Sequence, residues 1–303
     1  MSSLGITAVA TSALVLATVA ADACAAPRSK LAAGAGAKAA PQPAPAGGTG
    51  KTKKIVLIAG TDSHGSATHA HAAGIALLKR CLDTATNVKG FTTAAVFGGW
   101  PKDQSVLDGA ATIVIFSDGF GKHPLQGPER MKTVGALMAG GTGLVVIHYA
   151  TVPVADKTHT SAFLEWVGGF YERNYSRNPH NDATVRPGTP EHPVCRGWKA
   201  YDARDEFYYR IRFGAGDKRV TPIATAMLPK SNPKRETIAW AVQRRDGGRG
   251  FGFTGAHFHK NWAIDGFRRM VLNAIVWTAG IDVPADGVRH SAKADVRLKK
   301  PGR

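Results

Sequence analysis

The chain has 303 residues, 44% of them hydrophobic, which is enough for one large domain or two small ones. Its formal net charge is +17, but the basic residues are scattered and form no stripe interleaved with aromatic residues. This pattern argues against a nucleic-acid partner, and no segment of the folded part predicts a membrane span.

The first 25 residues predict a signal peptide for export. Leu4–Ala20 is a run of small and apolar residues, although no positively charged residue precedes it. Ala23-Cys24-Ala25 fits the small-residue motif at which signal peptides are cleaved. A lipid anchor on Cys24 is the competing interpretation, which Asp22 in front of it fits poorly. We therefore expect a periplasmic or extracellular protein.

The remainder of the chain divides by composition into three parts. Residues 26–50 are rich in Ala, Pro and Gly and predict a flexible linker. The folded domain is expected in residues 51–284, and residues 285–303 form a basic tail.

The first half of the domain alternates short apolar runs with helical patterns. Apolar, β-branched runs predict strands that are buried on both faces of a sheet. The order is strand, helix, strand, strand, helix, strand, with the boundaries Lys54–Ala59, Ala72–Leu82, Thr92–Phe97, Ala111–Phe116, Pro128–Ala139 and Gly143–Ile147. This order predicts an α/β fold with a doubly wound, mostly parallel sheet of the flavodoxin type.

The second half of the domain is expected to add β segments and long loops to that sheet. Ser161–Phe170 predicts a short helix, and the chain after it is irregular and polar as far as His192-Pro193. The later predicted elements are strands at Thr221–Met227, Glu236–Gln243 and Gly250–Phe253, a hairpin turn at Arg244–Gly248 and a closing helix at Phe267–Thr278.

Several predicted strands deliver a titratable side chain at their carboxyl ends. His64 follows the first strand, Asp118 the third, His148 the fourth and His257 the last. Because ligands bind outside the carboxyl ends of the strands in open α/β sheets, we expect these side chains to share one cleft. Glu206 is expected to join them from the irregular segment. Neutral histidines with a carboxylate suit general acid–base catalysis, so His148, Glu206 and His257 are the predicted catalytic residues.

Polar and aromatic residues around this cleft are predicted to bind the substrate. The segment Tyr171–His180 combines aromatic residues with Asn, Arg and His, which is typical of the rim of a carbohydrate site. Long polar loops of this kind often cover active sites. The predicted substrate-binding residues are His64, His69, Asp118, His123, Tyr149, Asn178, His180 and His259.

Two alternatives to acid–base chemistry remain on the sequence. Neutral imidazoles with Asp or Glu are ligands of zinc, manganese or iron, so a divalent metal ion is an open possibility. His69-Ala-His71 and His257-Phe-His259 face one side only in an extended chain, which weakens that interpretation. A nucleophilic hydrolase is not expected, because Cys81 and Cys195 lie away from strand ends and no G-x-S-x-G motif is present.

Short motifs recur in a fixed order along the domain, and together they point to a family. They are Ser63-His-Gly65 with His69, Ser117-Asp-Gly119 with His123, Ile147-His-Tyr149, Glu172–His180, His192-Pro193, Asp205-Glu206, Gly255-Ala-His257 and Phe267–Gly280. In this order the chain resembles the ThuA-like (trehalose utilisation) family, whose fold is that of the class I glutamine amidotransferases. The resemblance covers Lys54 to about Val283.

The resemblance implies a substrate class and excludes one activity. In the amidotransferases a cysteine nucleophile follows the central strand and a His-x-Glu pair follows the last one. The corresponding residues here are His148 and His257-Phe-His259, so no glutaminase activity is expected. Sugar metabolism is implied instead, with keto-disaccharides or their derivatives as substrates and a sugar dehydrogenase of the same pathway as a partner.

The first hypothesis for function is therefore an exported enzyme that moves a proton next to the carbonyl of a 3-keto sugar. His148 or Glu206 would take the proton, and His257 would protonate or polarise the carbonyl oxygen, with elimination or isomerisation to follow. Hydroxyl groups would be held by Asn178, His180 and Tyr149. The second hypothesis is a non-catalytic sugar-binding module beside a partner enzyme. A metal-assisted lyase, isomerase or hydrolase is the alternative mechanism.

Overall fold

Nine strands form the central sheet of the protein, which we describe from a computed structural model covering residues 52–65 and 67–293. The predicted signal peptide and linker, residues 1–50, lie outside the described residues, as do residues 294–303 of the predicted basic tail. Within the described ranges, none of the helices has the length and hydrophobicity that a membrane crossing requires.

The elements of the first half occur where the sequence predicts them, with boundaries that agree to within one residue. In chain order, the strands are β1 (Lys53–Ala59), β2 (Phe91–Phe97), β3 (Ala110–Phe116), β4 (Gly143–Ile147), β5 (Gly169–Phe170), β6 (Asn181–Pro187), β7 (Tyr201–Asp205), β8 (Arg212–Phe213), β9 (Val220–Leu228), β10 (Lys234–Gln243) and β11 (Arg249–Phe253). The helices are α1 (His71–Asp83), α2 (Pro128–Ala139), α3 (Lys157–Trp166) and α4 (Asp265–Thr278).

The central sheet has a parallel half and an antiparallel half. Side by side, its strands lie in the order β2, β1, β3, β4, β11, β10, β9, β6, β7. The pairs from β2 to β11 are parallel. The pairs from β11 to β7 are antiparallel, and the predicted turn at Arg244–Gly248 joins β10 to β11. The predicted α/β fold, with a large parallel sheet and added β segments, is confirmed.

Helices cover both faces of the sheet because its central strands are apolar on both faces. On one face, Ile55 and Leu57 of β1 belong to a core that includes residues of α1 and α4. On the other face, Val56 and Ile58 belong to a second core that includes residues of α2 and α3. All four side chains are completely buried. Each central strand is therefore held from two sides, which fixes the position of its carboxyl end.

The third helix differs from its prediction at both ends. It spans Lys157–Trp166, whereas the apolar pattern predicts Ser161–Phe170. Asp156 caps the observed helix by accepting a hydrogen bond from the backbone N–H of His159 at 2.9 Å. Gly168 follows its end with a φ of +86°, a left-handed conformation that terminates helices. The capping residue and the glycine, rather than the apolar pattern, set these boundaries.

The stretch predicted to be irregular contains a strand, β6. It pairs with β7 on one side and with β9 on the other. Its seven residues include only Ala183, Val185 and a terminal proline as apolar residues, so its alternating pattern is weak. The neighbouring strands, rather than its own sequence, determine its conformation.

Candidate functional site

Turns after four parallel strands bring titratable side chains to one edge of the sheet. β1 leads into the turn with His64 and His69, β3 leads to Asp118, β4 to His148 and β11 to His257. The first and last of these turns are tied together, because the backbone N–H of His69 donates to the carbonyl of His257 at 3.0 Å. The structure thus places these residues side by side, as the parallel strand order predicts.

The backbone at this edge adopts conformations that residues other than glycine rarely adopt. The φ angle is +41° at His69, +55° at His148 and +92° at Ala256, the residue before His257. Each such conformation costs roughly 1–3 kcal/mol, and these conformations concentrate at functional sites. The surrounding packing therefore imposes the directions of these histidines.

Three imidazoles and one carboxylate converge here, and we call them the His–Glu cluster (His69, His148, Glu206 and His257). Nε2 of His69 lies 3.0 Å from Nε2 of His148 and 3.0 Å from Nδ1 of His257. Oε2 of Glu206 lies 3.4 Å from Nε2 of His148 and 3.1 Å from Nδ1 of His257. All four atoms lie within 4.8 Å of one another. This is the geometry of a shared proton or of a bound cation.

Hydrogen bonds from behind the cluster fix the orientation of two of its rings. Nδ1 of His148 bonds to the carbonyl oxygen of Thr254 at 2.8 Å, and Nδ1 of His69 bonds to Oδ1 of Asp118 at 2.9 Å. A carbonyl and an ionised carboxylate can only accept, so both Nδ1 atoms carry the proton. In a neutral His69, Nε2 therefore points a lone pair into the cluster, toward Nε2 of His148 and Nδ1 of His257.

Asp118 is ionised and His69 is neutral at neutral pH. Burial alone would raise the pKa of Asp118, but hydrogen bonds from His69 and Ser63 outweigh it and lower that pKa to about 2. Burial is the main cause that lowers the pKa of His69 to about 4, although the bond to Asp118 opposes it. The pair is thus an ion beside a neutral ring rather than two ions.

Glu206 is the carboxylate of the cluster that reaches solvent, with 15% of its side chain exposed. Burial acts to raise its pKa, but hydrogen bonds from His148 and His257 outweigh it and hold the pKa well below the ordinary range of a glutamate. Its other oxygen, Oε1, accepts a hydrogen bond from the side-chain amide of Asn178 at 3.0 Å. Glu206 is therefore oriented and ionised.

Asp205, the residue before Glu206, holds the loop that carries His257. Its side chain is completely buried. Oδ2 accepts from the backbone N–H of Ala256 at 2.8 Å, and Oδ1 accepts from that of His257 at 3.0 Å. These charge-assisted bonds connect the end of β7 to the end of β11 and so position Glu206 and His257 relative to each other.

A cavity of about 360 Å³ opens onto the cluster. This volume lies within the roughly 300–1,000 Å³ that small-molecule sites usually have. The cavity is lined by His64, His69, Phe120, Tyr149, Val152, Tyr171, Arg173, Asn178, Glu206, Tyr208 and His257. Four aromatic rings and several hydrogen-bonding groups therefore surround the cluster.

A larger cavity, of about 660 Å³, lies at the other end of the parallel strands. Gly109, Gly141 and Gly280, which lie between elements, are among its lining residues. Its described lining contains no histidine, aspartate or glutamate. The chemistry thus belongs to the smaller cavity.

Most of the predicted site residues lie at the smaller cavity, either in its lining or directly beside it. His64, His69, Tyr149 and Asn178 line it, and Asp118 contacts it through His69 and Ser63. His180 is exposed and lies beside His257, with ring centroids 4.9 Å apart.

Asp118 and His180 lie just outside the cavity lining, and three further predicted residues do not line the cavity. His148 is completely buried behind it, so a base at His148 that touches the substrate, as the sequence predicts, does not fit the structure. His123 has no free ring nitrogen, because Nε2 bonds to the carbonyl of Ala150 and Nδ1 accepts from the N–H of Leu125. His259 is buried outside the cavity lining.

The structure adds cavity residues that the sequence does not identify. Phe120, Tyr171, Arg173 and Tyr208 line the cavity, and Ser63 binds Asp118 at 2.7 Å. Tyr171 and Arg173 lie in the segment predicted as the rim, and Tyr208 follows Glu206 by two residues. Their closeness in sequence to predicted site residues therefore indicates that they lie near the site. Which of these side chains point into the cavity depends on the fold.

The His–Glu cluster is also a possible metal-binding set, as is a second group formed by His64, His69 and Asp118. Nucleophilic thiol chemistry is not supported in the described part of the chain. Cys81 and Cys195 are free thiols that are buried in the core, away from the cavity lining.

Comparison with known proteins links this site to a family. The family model described as ThuA, trehalose utilisation, matches residues 55–278. A ThuA-like protein from Bacteroides uniformis has a TM-score of 0.56 and 17% identity, over 76% of this chain and 93% of that chain. Another, from Parabacteroides merdae, has a TM-score of 0.56 and 18% identity, over 82% and 100% of the two chains. The comparison with curated proteins gives no match.

At these identities, the similarity to solved structures establishes a shared fold. The sequence match to the family begins within β1, covers the other strands of the central sheet and ends with α4.

Proposed function

The chain belongs to the ThuA family, and from this premise we propose that it is an enzyme that acts on a carbohydrate at the His–Glu cluster. The observation that carries the proposal is the convergence of three imidazoles and Glu206 at a cavity of about 360 Å³. A binding module has no need of a buried set of titratable groups, and placing them there is costly unless they are used.

The cavity walls suit a sugar. Phe120, Tyr149, Tyr171 and Tyr208 offer aromatic faces, on which the C–H faces of a sugar ring can pack. Asn178 and Arg173 offer donors for hydroxyl oxygens. Such a mixture of apolar walls and a few placed polar groups orients a small polar ligand.

The proposed reaction is proton transfer at a carbon next to the ketone of a keto-sugar. Glu206 accepts the proton from this carbon, the C–H electron pair forms a C=C bond to the carbonyl carbon, and the π electron pair of the C=O bond moves onto oxygen to give an enediolate. Positive charge at the cavity stabilises the negative charge that develops on that oxygen, and Arg173 is the cationic residue of the cavity lining. Return of the proton to a different carbon completes an isomerisation, and loss of a leaving group at the next carbon completes an elimination.

A test of this reaction need not identify the final product. The full-length protein is incubated in D₂O with the 3-keto derivative of trehalose, and deuterium incorporation next to the ketone is followed by NMR. We expect the protein to exchange deuterium well above the rate in buffer alone. Glu206→Gln should reduce the exchange rate by roughly 10²–10⁴-fold, the usual contribution of a general base.

The matched control is Glu129→Gln, an exposed glutamate in the first turn of α2 that should leave exchange unchanged. Saturable binding of the keto-sugar without exchange would contradict the proposal and favour the sugar-binding module. Equal exchange by the wild type and Glu206→Gln would remove Glu206 from its role.

We further propose that the protein is exported and that a sugar dehydrogenase supplies its keto-sugar. The apolar run at Leu4–Ala20 and the small residues around Cys24 support export. Oxidation of a sugar hydroxyl is the reaction that makes such a ketone. Amino-terminal sequencing of the protein from its native cell fraction tests the first point, and a mature chain that still begins at Met1 would contradict it.

A further inference from the structure

We infer that the His–Glu cluster is a binding site for one divalent transition-metal ion. Its ligand atoms are Nε2 of His69, Nε2 of His148, Nδ1 of His257 and Oε2 of Glu206. The site does not depend on the identity of the substrate, and it supplies the positive charge that the proposed reaction requires.

The first argument concerns the closest contact in the cluster. Nε2 of His69 and Nε2 of His148 are 3.0 Å apart, and both rings carry their proton on Nδ1. When both rings are neutral, the two Nε2 atoms present lone pairs to each other at this distance, and the nearest hydroxyl, that of Tyr208, lies 3.4 Å from Nε2 of His148. The exposed fractions of the two residues are only 2% and 0%, so solvent cannot relieve the repulsion between these lone pairs. A cation between the two nitrogens turns this contact into a favourable one.

The second argument is the distance between neighbouring ligand atoms. A tetrahedral zinc site with bonds of about 2.0–2.1 Å has ligand atoms about 3.3 Å apart. In the cluster the four distances around the ring of ligand atoms are 3.0, 3.0, 3.1 and 3.4 Å. The side chains are thus already at the spacing that one small ion requires.

The third argument is that the outer bonds resemble those of metal sites. Metal-binding histidines usually donate their second N–H to a carboxylate or a carbonyl, which fixes the ring and strengthens its lone pair. His69 has Asp118 in this position, and His148 has the carbonyl of Thr254. The fourth ligand is supported as well, because Asn178 orients Oε1 of Glu206. Oε2 would bind the ion, and Oε1 keeps a second lone pair for the proton transfer of the proposed reaction.

The ligand set selects a class of metal. Three imidazole nitrogens and one carboxylate oxygen suit zinc and its first-row neighbours. Magnesium and calcium prefer sites made of oxygen atoms, so they are not expected here.

The neighbouring group of His64, His69 and Asp118 is a poorer site. Oδ1 of Asp118 already accepts hydrogen bonds from His69 and Ser63, at 2.9 and 2.7 Å. The His64 side chain is 51% exposed and bonds to Ser63 at 2.7 Å. The side chains of this group already hydrogen-bond one another, whereas in the His–Glu cluster two histidine Nε2 atoms and a carboxylate oxygen face one another.

A metal also explains the position of His148. The ring is completely buried and cannot touch a sugar in the cavity, yet its Nε2 lies 3.4 Å from Oε2 of Glu206, which does line the cavity. A residue that binds a metal ion can be buried in this way, whereas a residue that accepts a proton from the substrate must reach the cavity.

The experiment is a titration of the chelator-treated, full-length protein with Zn²⁺ and, separately, with Co²⁺. Calorimetry gives the stoichiometry and affinity for Zn²⁺, and visible absorption reports the coordination of Co²⁺. We expect one equivalent of each ion to bind, with a Co²⁺ spectrum typical of low coordination number. Asp118→Asn should weaken Zn²⁺ binding by about 10–100-fold, the usual effect of an outer hydrogen-bond partner.

Variants of the ligands test the assignment directly. His148→Ala, Glu206→Gln and His257→Gln should each weaken Zn²⁺ binding by more than the about 10–100-fold expected for an outer partner. Glu206 and His257 line the cavity, so their variants should fold even if His148→Ala does not, and circular dichroism checks this. His64→Ala and His180→Ala are the histidine controls, and both should keep one equivalent of Zn²⁺.

Two results would overturn the assignment. One is the absence of stoichiometric Zn²⁺ and Co²⁺ binding by the folded wild type. The other is loss of binding in His64→Ala with full binding in His257→Gln, which would move the ion to the neighbouring group. Deuterium exchange by metal-free protein at the rate of the zinc-loaded protein would refute a role for the metal in the proposed reaction, and metal binding without exchange would contradict the reaction and leave the metal site standing.

Discussion

Asp205 and Asp118 are buried carboxylates that the substrate does not need to touch, and the site depends on both. Asp118 orients His69 through a ring N–H, and Asp205 orients His257 through backbone N–H groups. The two act in different ways, since Asp118 affects the lone pair that its histidine presents, while Asp205 affects where its histidine lies. Their variants should therefore have different effects.

Asp205→Asn should lower the free energy of unfolding. The substitution removes the charge from the four backbone hydrogen bonds that Asp205 accepts and places an amide N–H₂ against N–H donors. Bonds to charged groups contribute about 1.5–3 kcal/mol each. Urea unfolding measures the loss. Asp202→Asn, an exposed position on the same strand, should change stability by less than about 0.5 kcal/mol. Equal effects of the two variants would contradict the anchoring role of Asp205.

His148 shows what a strand-end pattern can and cannot predict. Its position after a buried strand correctly places it near the other histidines. The pattern does not indicate how deep the ring lies, because the left-handed φ of +55° and the bond to Thr254 turn it inward. The structure therefore changes its expected use from a base that meets the substrate to a ligand held behind the cavity.

At the scale of elements, α3 shows how a cap overrides an apolar pattern. The helix begins after Asp156, whose carboxylate accepts from both the backbone N–H and the ring of His159. It ends before Gly168, where a Cβ atom would lie 3.0 Å from the side chain of Val220. Local hydrogen bonding at one end and close packing at the other determine its length.

Asp156→Ala should destabilise the protein by about 1 kcal/mol, the usual effect of losing a helix N-cap. Thermal unfolding of the variant measures this change. Lys157→Ala, at the first position of the same helix, removes an exposed side chain without a capping role and serves as the control. No difference between the two variants would show that α3 is held by its packing alone.

At the scale of the whole molecule, the parallel half of the sheet was predictable and the antiparallel half less so. β1, β3 and β4 consist of apolar residues buried on both faces, which leaves few alternatives for such short runs. β6 has a weak pattern and depends on contacts with distant strands. The cluster shares this dependence, since Glu206 follows β7, an edge strand of the antiparallel half, and its approach to His148 requires the complete sheet.

Acidification should weaken the metal-free protein between pH 6.5 and about 4. Burial lowers the pKa of His123 to about 4, and that of His69 is lowered to about 4 mainly by burial. In the unfolded chain these groups bind protons near pH 6.5, so below that pH the unfolded state binds more protons than the folded state. Stability is therefore complete above pH 6.5 and is lost as the pH falls, by up to about 1.4 kcal/mol per pH unit for each histidine.

Urea unfolding of the chelator-treated protein across this range measures the slope. This slope reports how many more protons the unfolded state binds than the folded state, and His123→Gln should reduce that difference by about one proton. The substitution should leave the cluster intact, because His123 lies outside it. A free energy of unfolding that is constant from pH 6.5 to 4 would contradict the burial of these neutral rings.

The most direct measurement is a crystal structure of the zinc-loaded protein with anomalous data collected on both sides of the zinc absorption edge. The account predicts one anomalous peak about 2.0–2.1 Å from the inward nitrogens of His69, His148 and His257, on the side of Glu206. An anomalous map without a peak among these three histidines, in crystals that contain zinc, would contradict it.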